Sequence, residues 1–248
     1  MTRLVLLSGW GCDARIWQPL ATHWPVGIRV ETPDWPGYAG RPAPTDPAAL
    51  DAVACAMAAE LPADAVWVGW SLGGLLAAAL LERLPAPRGL IMIGMGPRFC
   101  HPQGVPTREL AAFRRAFARD PDATLAHFRR WQLSGEPAPR SVHRRLRDLL
   151  GDAPGADTPT LAAGLDWLAE LDVSAALAAP PCPVHTLAGA DDPLLAPSRV
   201  AAADRRLDGA GHCPMLSRPD TLAAALVELA RECPRDGATF RRPEACPL

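Results

Sequence analysis

Gly69-Trp70-Ser71-Leu72-Gly73 fits G-x-S-x-G, the pattern that seats a serine hydroxyl on a strained strand-to-helix turn. Small residues are needed two places before and two after the serine, because larger side chains would collide where the chain reverses. A serine hydroxyl attacks only when a base removes its proton and a carboxylate orients that base. Downstream, "AGADDPLLAP" (188–197) offers carboxylates and "GAGHCPMLSRPD" (209–220) offers a histidine. Ser71, Asp192 and His212 are therefore the candidate nucleophile, acid and base. Asp191 competes with Asp192 for the acid; Asp192, three residues after Gly189, is favoured, with Asp191 capping or solvated. An oxyanion hole needs two backbone N–H groups aimed at the developing charge. Leu72, just after the nucleophile, and Trp10, in the turn "LLSGWGCDARIW", are the candidate donors.

Other readings of these residues exist. A lone G-x-S-x-G can be a plain glycine corner, and a lone loop histidine is usually solvated. Gly9-Trp10-Gly11-Cys12-Asp13-Ala14 also fits G-x-G-x-x-A after a strand, with Glu31 downstream, as in a dinucleotide-binding unit. A tryptophan between the glycines would crowd a pyrophosphate, and that reading leaves Ser71, Asp192 and His212 unexplained. Cys213 beside His212 makes no dyad, since adjacent residues need not face each other.

The elements that must position these groups can be read around them. Ala65–Gly69 is a short apolar run ahead of Ser71, and Leu72–Leu84 is a proline-free helical pattern behind it. Leu4–Leu7, Gly27–Glu31, Leu90–Ile93 and Pro183–Leu187 read as further strands; Ala14–Thr22, Pro47–Leu61 and Thr221–Glu232 read as helices. This alternation predicts an α/β fold, a mostly parallel sheet with helices on both faces. From about 97 to 178 the rhythm changes to helical patterns alone: Thr107–Arg119, Pro121–Leu133, Arg140–Leu150 and Thr160–Leu171. The expected organisation is a core of 1–96 and 179–232, an all-helical insertion at 97–178 and a loose tail at 233–248.

Composition excludes several chemistries. All 25 basic residues are arginine, so no P-loop lysine, pyridoxal-phosphate aldimine or lysine base exists. There is no H-E-x-x-H and no His/Cys cluster with zinc-ligand spacing. A net charge of −2 gives no reason to expect nucleic-acid binding, and no apolar stretch is long enough for a membrane span. Seven scattered cysteines without C-x-x-C spacing fit free thiols in a reduced, cytoplasmic protein.

"LVLLSGWG", "DWPGYAG", "GWSLGG", "GADDPLLAP" and "GHCPMLSRPD" together resemble the α/β-hydrolase family. The tryptophan-containing forms "SGWG" and "GWSLGG" are most similar to its pimeloyl-[acyl-carrier protein] methyl ester esterases. "FRRWQLSG" (128–135) and "LAAGLDWLAELDV" (161–173) continue the likeness into the helical segment. The resemblance implies a Ser71–His212–Asp192 triad and ester-binding contacts at Trp10, Leu72, Phe128, Gln132 and His212. It implies a carrier-docking role for Arg140 and Arg144, and Arg147 shares their helix face. It further implies methyl-ester hydrolysis on a pimeloyl-carrying acyl carrier protein, by a cytoplasmic monomer that needs no cofactor. The alternatives are a general short-chain carboxylesterase, a C–C hydrolase or lyase, or a receptor-like hydrolase fold. Three departures stand out: Ser8 replaces a histidine common in relatives, no antiparallel strands precede the first motif, and only 19 residues separate Asp192 from His212.

Overall fold

Short apolar or half-apolar runs, closed by Gly, Pro or a turn, become five of the strands, and a sixth forms from Arg-Arg-Leu. The computed structural model describes residues 1–234. Its strands are β1 (Thr2–Leu7), β2 (Ile28–Glu31), β3 (Val66–Trp70), β4 (Gly89–Ile93), β5 (Val184–Gly189) and β6 (Arg205–Leu207). They form one sheet in the order β2-β1-β3-β4-β5-β6, with every pairing parallel. Parallel strands are covered on both faces, which explains why β3 and β4 are buried along their whole length. Alternation along β1 divides the core. Val5 and Leu7 pack with α1 (Leu50–Met57) and α2 (Leu72–Leu80), while Leu4 and Leu6 pack with Ile16, Trp17 and Leu20 and the closing C-terminal helix.

Register brings the chemistry together. Leu7 lies opposite Gly69, Trp70 opposite Ile93 and Gly189 opposite Leu207. The segments that leave β1, β3 and β5 therefore emerge side by side at the carboxyl edge of the sheet, where open α/β sheets bind ligands.

Between β4 and β5 the chain is helical: α3 (Thr107–Arg119), α4 (Pro121–Trp131), α5 (Pro139–Leu150), α6 (Thr158–Glu170) and α7 (Ser174–Ala178). Aspartates start two of them. Asp120 accepts from the Ala123 N–H ahead of α4, and Asp157 accepts from the Thr160 N–H ahead of α6, each with proline in the first turn. After β5 come α8 (Pro197–Ala201), α9 (Pro214–Ser217) and α10 (Pro219–Glu232).

Four local expectations are corrected. Ala14–Thr22 forms a 3₁₀ helix, Ala14–Leu20, because Pro19 lies inside it and cannot donate to an α-helical ladder. The helix expected over Pro47–Leu61 contracts to α1. Cys233 and Pro234, placed in the loose tail, are held by Arg88, whose guanidinium donates to both carbonyls; the rest of that tail lies outside the described residues. Cys12, Cys100, Cys182, Cys213 and Cys233 are free thiols, whereas Cys55 is disulfide-bonded, against the expectation of free thiols.

Candidate active site

Ser71 follows β3 at φ 55° and ψ −127°. Left-handed φ is costly for a residue with a Cβ, on the order of 1–3 kcal/mol, and persists only where the surroundings impose it. Here the Ser71 N–H donates to the Ile93 carbonyl at 2.8 Å, and the Ser71 carbonyl accepts from Gly74 at 2.9 Å as α2 begins. The flanking glycines are needed for space. A Cβ on Gly69 would lie 2.5 Å from the Gly73 carbonyl oxygen, and one on Gly73 would lie 2.5 Å from that of Ser8.

His212 and Asp192 meet in the interior. His212 Nδ1 and Asp192 Oδ2 are 2.8 Å apart, and both side chains are fully buried. The 19-residue spacing is sufficient because α8 and β6 are short, and the two loops are tied where the Asp191 N–H donates to the Ala210 carbonyl at 3.0 Å. Asp192 Oδ1 accepts from the Leu194 N–H at 2.9 Å, so both carboxylate oxygens are occupied. Asp191, by contrast, is exposed. His212 Nε2 is buried with no hydrogen-bond partner among the described residues, leaving a lone pair open to a hydroxyl proton. Gly94, next after the carbonyl that holds Ser71, abuts the imidazole: a Cβ there would lie 3.0 Å from Nδ1.

Trp70 gave no sequence signal of a role beyond its place in the motif. Its indole N–H donates to the His212 carbonyl at 2.7 Å, and its ring lies 5.5 Å from the imidazole. The strand that ends at Trp70 thus also steadies the histidine loop.

The Trp10 turn lies against the serine, since a Cβ on Gly9 would sit 3.0 Å from Ser71 Cβ. Tyr38 OH accepts from the Gly11 N–H at 3.2 Å and the Ser8 carbonyl accepts from the Trp35 indole at 2.9 Å, which fixes this turn. Trp10 is buried, and its indole donates to the Leu161 carbonyl of α6 at 2.8 Å. Phe113, Phe117 and Phe128 pack edge-on around it, with Phe128 closest at 5.1 Å. Leu72 is the first residue of α2, so its N–H has no intrahelical partner. Leu72, Leu76, Trp35, Tyr38 and Trp167 line a narrow apolar pocket that reaches Ser8 and Gly9. Gln132, 1% exposed, lies beside the Cys12 thiol, and neither of its amide atoms has an oxygen or nitrogen partner among the described residues.

The dinucleotide reading has no support here. A 3₁₀ turn follows the glycines, and Glu31 is paired with Arg3 at 2.7 Å. Cys213 is fully buried, and burial pushes its thiol well above the usual range, away from the thiolate a cysteine nucleophile needs. Burial likewise pushes the Cys12 thiol up to about 12. Among the described residues, no group of three or more His, Cys, Asp or Glu could hold a metal ion.

Arg140, Arg144 and Arg147 stand together on the exposed face of α5, opposite buried Val142, Leu146 and Leu150. They are not equivalent. Arg147 is held in a two-pronged pair with Asp152 at 2.7 and 2.9 Å, whereas Arg140 and Arg144 have no ion-pair partner among the described residues.

Comparison with known proteins agrees with this architecture. A protein from Aromatoleum aromaticum named "Pimeloyl-[acyl-carrier protein] methyl ester esterase" is 38% identical, over 92% of this chain and 98% of its own. A protein of the same name from Xanthomonas campestris is 35% identical, over 93% and 96%. Among solved structures, an esterase from Exiguobacterium antarcticum superposes with a TM-score of 0.75 at 20% identity, covering 93% of this chain and 92% of that one. The enol-lactonase from Burkholderia xenovorans gives 0.72 at 19% identity, covering 93% and 91%. These structural likenesses speak to the fold alone. The family model described as "Alpha/beta hydrolase family" matches residues 4–225, so the chain belongs to the alpha/beta hydrolases.

Proposed function

We propose that this protein is a serine carboxylesterase that hydrolyses the methyl ester of pimeloyl-[acyl-carrier protein], freeing the pimeloyl carboxylate in biotin biosynthesis. The observation that carries the chemistry is the imidazole tied to Asp192 through Nδ1, with Nε2 left without a partner among the described residues, in a loop bonded to Trp70, the residue before the strained Ser71. The substrate is carried over from the relatives of that name.

With Asp192 holding Nδ1–H, Nε2 takes the Ser71 proton as Oγ attacks the ester carbonyl. The N–H groups of Leu72 and Trp10 receive the oxyanion. The intermediate collapses as His212 returns its proton to the departing methoxide, releasing methanol. Water, deprotonated by the same nitrogen, then attacks the acyl-enzyme, and the second collapse restores Ser71 and frees the carboxylic acid. Phe128 packs on the acyl chain beside Trp10, and the amide of Gln132, which lies beside the Cys12 thiol, bonds the ester end. In this reading, residues 97–178 form a lid over the core of 1–96 and 179–232.

Between Arg108 and Asp148 the chain carries ten arginines against five acidic residues. That surplus favours an acidic carrier protein, met first by Arg140 and Arg144. The enzyme works as a cytoplasmic monomer without a cofactor; no helix among the described residues is long and apolar enough to cross a membrane.

Complementation tests the reading directly. In a biotin-auxotrophic bacterium lacking its own esterase, the wild-type gene should restore growth without biotin and the Ser71→Ala gene should not. Growth with neither gene, while the purified wild type cleaves simple esters, would assign the protein to general ester hydrolysis.

A further inference from the structure

The peptide bond that follows His212 is held at both of its polar groups. Its carbonyl accepts from the Trp70 indole at 2.7 Å, and its N–H, that of Cys213, donates to Glu136 Oε1 at 2.7 Å. Trp70 belongs to the nucleophile strand. Glu136 belongs to the helical segment, in the turn after α4 that closes as the Glu136 N–H donates to the Leu133 carbonyl at 3.0 Å. Glu136 is 4% exposed, and its Oε2 is buried without a partner among the described residues. A carboxyl group taken out of water without full pairing is unfavourable, so its place beside the histidine loop needs a cause.

Packing around it leaves no slack. A Cβ on Gly211 would lie 2.8 Å from the Gly135 carbonyl carbon and 2.9 Å from Glu136 Oε1. A Cβ on Gly135 would overlap the Asp191 carbonyl oxygen. The Gly135–Glu136 turn therefore packs directly against both loops, the one carrying Asp192 and the one carrying His212.

We propose that Glu136 is a positioning residue for His212. By accepting the Cys213 N–H it fixes the backbone from which the imidazole projects, and so makes the triad depend on how the helical segment is seated. This role rests on the esterase reading of Ser71, Asp192 and His212. Glu136 touches no reacting atom and moves no proton. Its loss frees one end of the clamped peptide, and a shift of roughly 1 Å at a reacting group can cost on the order of 10²-fold in rate.

Hydrolysis of p-nitrophenyl butyrate tests this, because a small ester needs no carrier. Glu136→Met, similar in length but without an acceptor, should lower kcat on the order of 10²-fold with KM changed by less than about twofold. Glu136→Gln keeps an acceptor oxygen and should retain kcat within about threefold of wild type. A Met variant with near wild-type kcat overturns the proposal. So does a Gln variant as impaired as the Met one, since the acceptor would then not be what matters. If the Met variant does not fold, hydrogen exchange at the Cys213 amide decides. Slow exchange in wild type and in Glu136→Gln supports the clamp, and exchange as fast as an open loop in either overturns it. A wild type inert toward this ester would sink the esterase reading itself, whereas an active wild type beside an active Met variant sinks only the role of Glu136.

Discussion

Ser71 occupies a backbone conformation that only its surroundings can impose, and its neighbour Trp70 holds the loop of a histidine that has one nitrogen committed and one without a partner among the described residues. This predicts an all-or-nothing role for its hydroxyl. Ser71→Ala should reduce p-nitrophenyl ester hydrolysis by roughly 10⁴-fold or more while leaving the melting curve unchanged. A fluorophosphonate probe should label Ser71 in the wild type; labelling at another residue, or an active alanine variant, rejects the assignment. The neighbouring aspartates give a finer test. Asp192 holds the imidazole at 2.8 Å, while Asp191 is exposed and meets the His212 loop through its backbone. Asp192→Asn should lower kcat roughly 10³- to 10⁴-fold, because the amide can favour the wrong histidine tautomer. Asp191→Asn should cost about tenfold at most, as surface changes away from special contacts are small. Equal or reversed losses would mean that the carboxylate acting on His212 is not the one the geometry selects.

At the scale of elements, local signals were readable and distant ones were not. Five of the six strands are apolar or half-apolar runs bounded by breakers, so their positions follow from composition along a few residues, whereas β6, Arg205–Leu207, has a single apolar residue and carries no such signal. The helices between β4 and β5 carry their own signals, such as Asp120 before Pro121 and Asp157 ahead of Pro159. The nucleophile motif was equally local, since Gly69 and Gly73 are required by contacts within the turn and with the adjoining β1 loop. Trp70 and Glu136 differ. Their partners lie 142 and 77 residues away, in a loop that the sequence alone could not place beside them. Arg147 is an intermediate case, because its face was legible but its two-pronged pair with Asp152 across the end of α5 was not. The amphipathic split of α5 predicts how its two faces respond to mutation. Leu146 is fully buried in the cluster that includes Leu133, Trp17 and Leu216. Leu146→Ala should destabilise the protein by about 2–5 kcal/mol. Arg144→Ala, on the exposed face, should stay within about 0.5 kcal/mol. Paired urea melts measure both. Equal effects would mean that α5 is not seated on the core as described.

For the whole molecule, charge is unevenly distributed, since a chain of net charge −2 carries a marked arginine surplus in its helical segment. If that surface docks an acidic carrier protein, attraction acts on encounter and weakens with salt. Raising ionic strength to about 0.3 M shortens the screening length from several tens of Å at very low salt to roughly 5 Å. Turnover of a methyl pimeloyl carrier substrate should therefore fall in kcat/KM as salt rises. A small neutral ester needs no docking and should barely respond. Changing Arg140 and Arg144 together to alanine should reproduce the same split without added salt. Each exposed contact contributes only about 0.2–1 kcal/mol, so the double change is needed for a clear signal. Arg147→Ala should add less than either, because its guanidinium is already engaged by Asp152. Equal loss on both substrates would mean that α5 supports the active site structurally. No loss on either would leave the arginine face merely solvated, and general ester hydrolysis would then describe the protein better than carrier-bound substrate turnover.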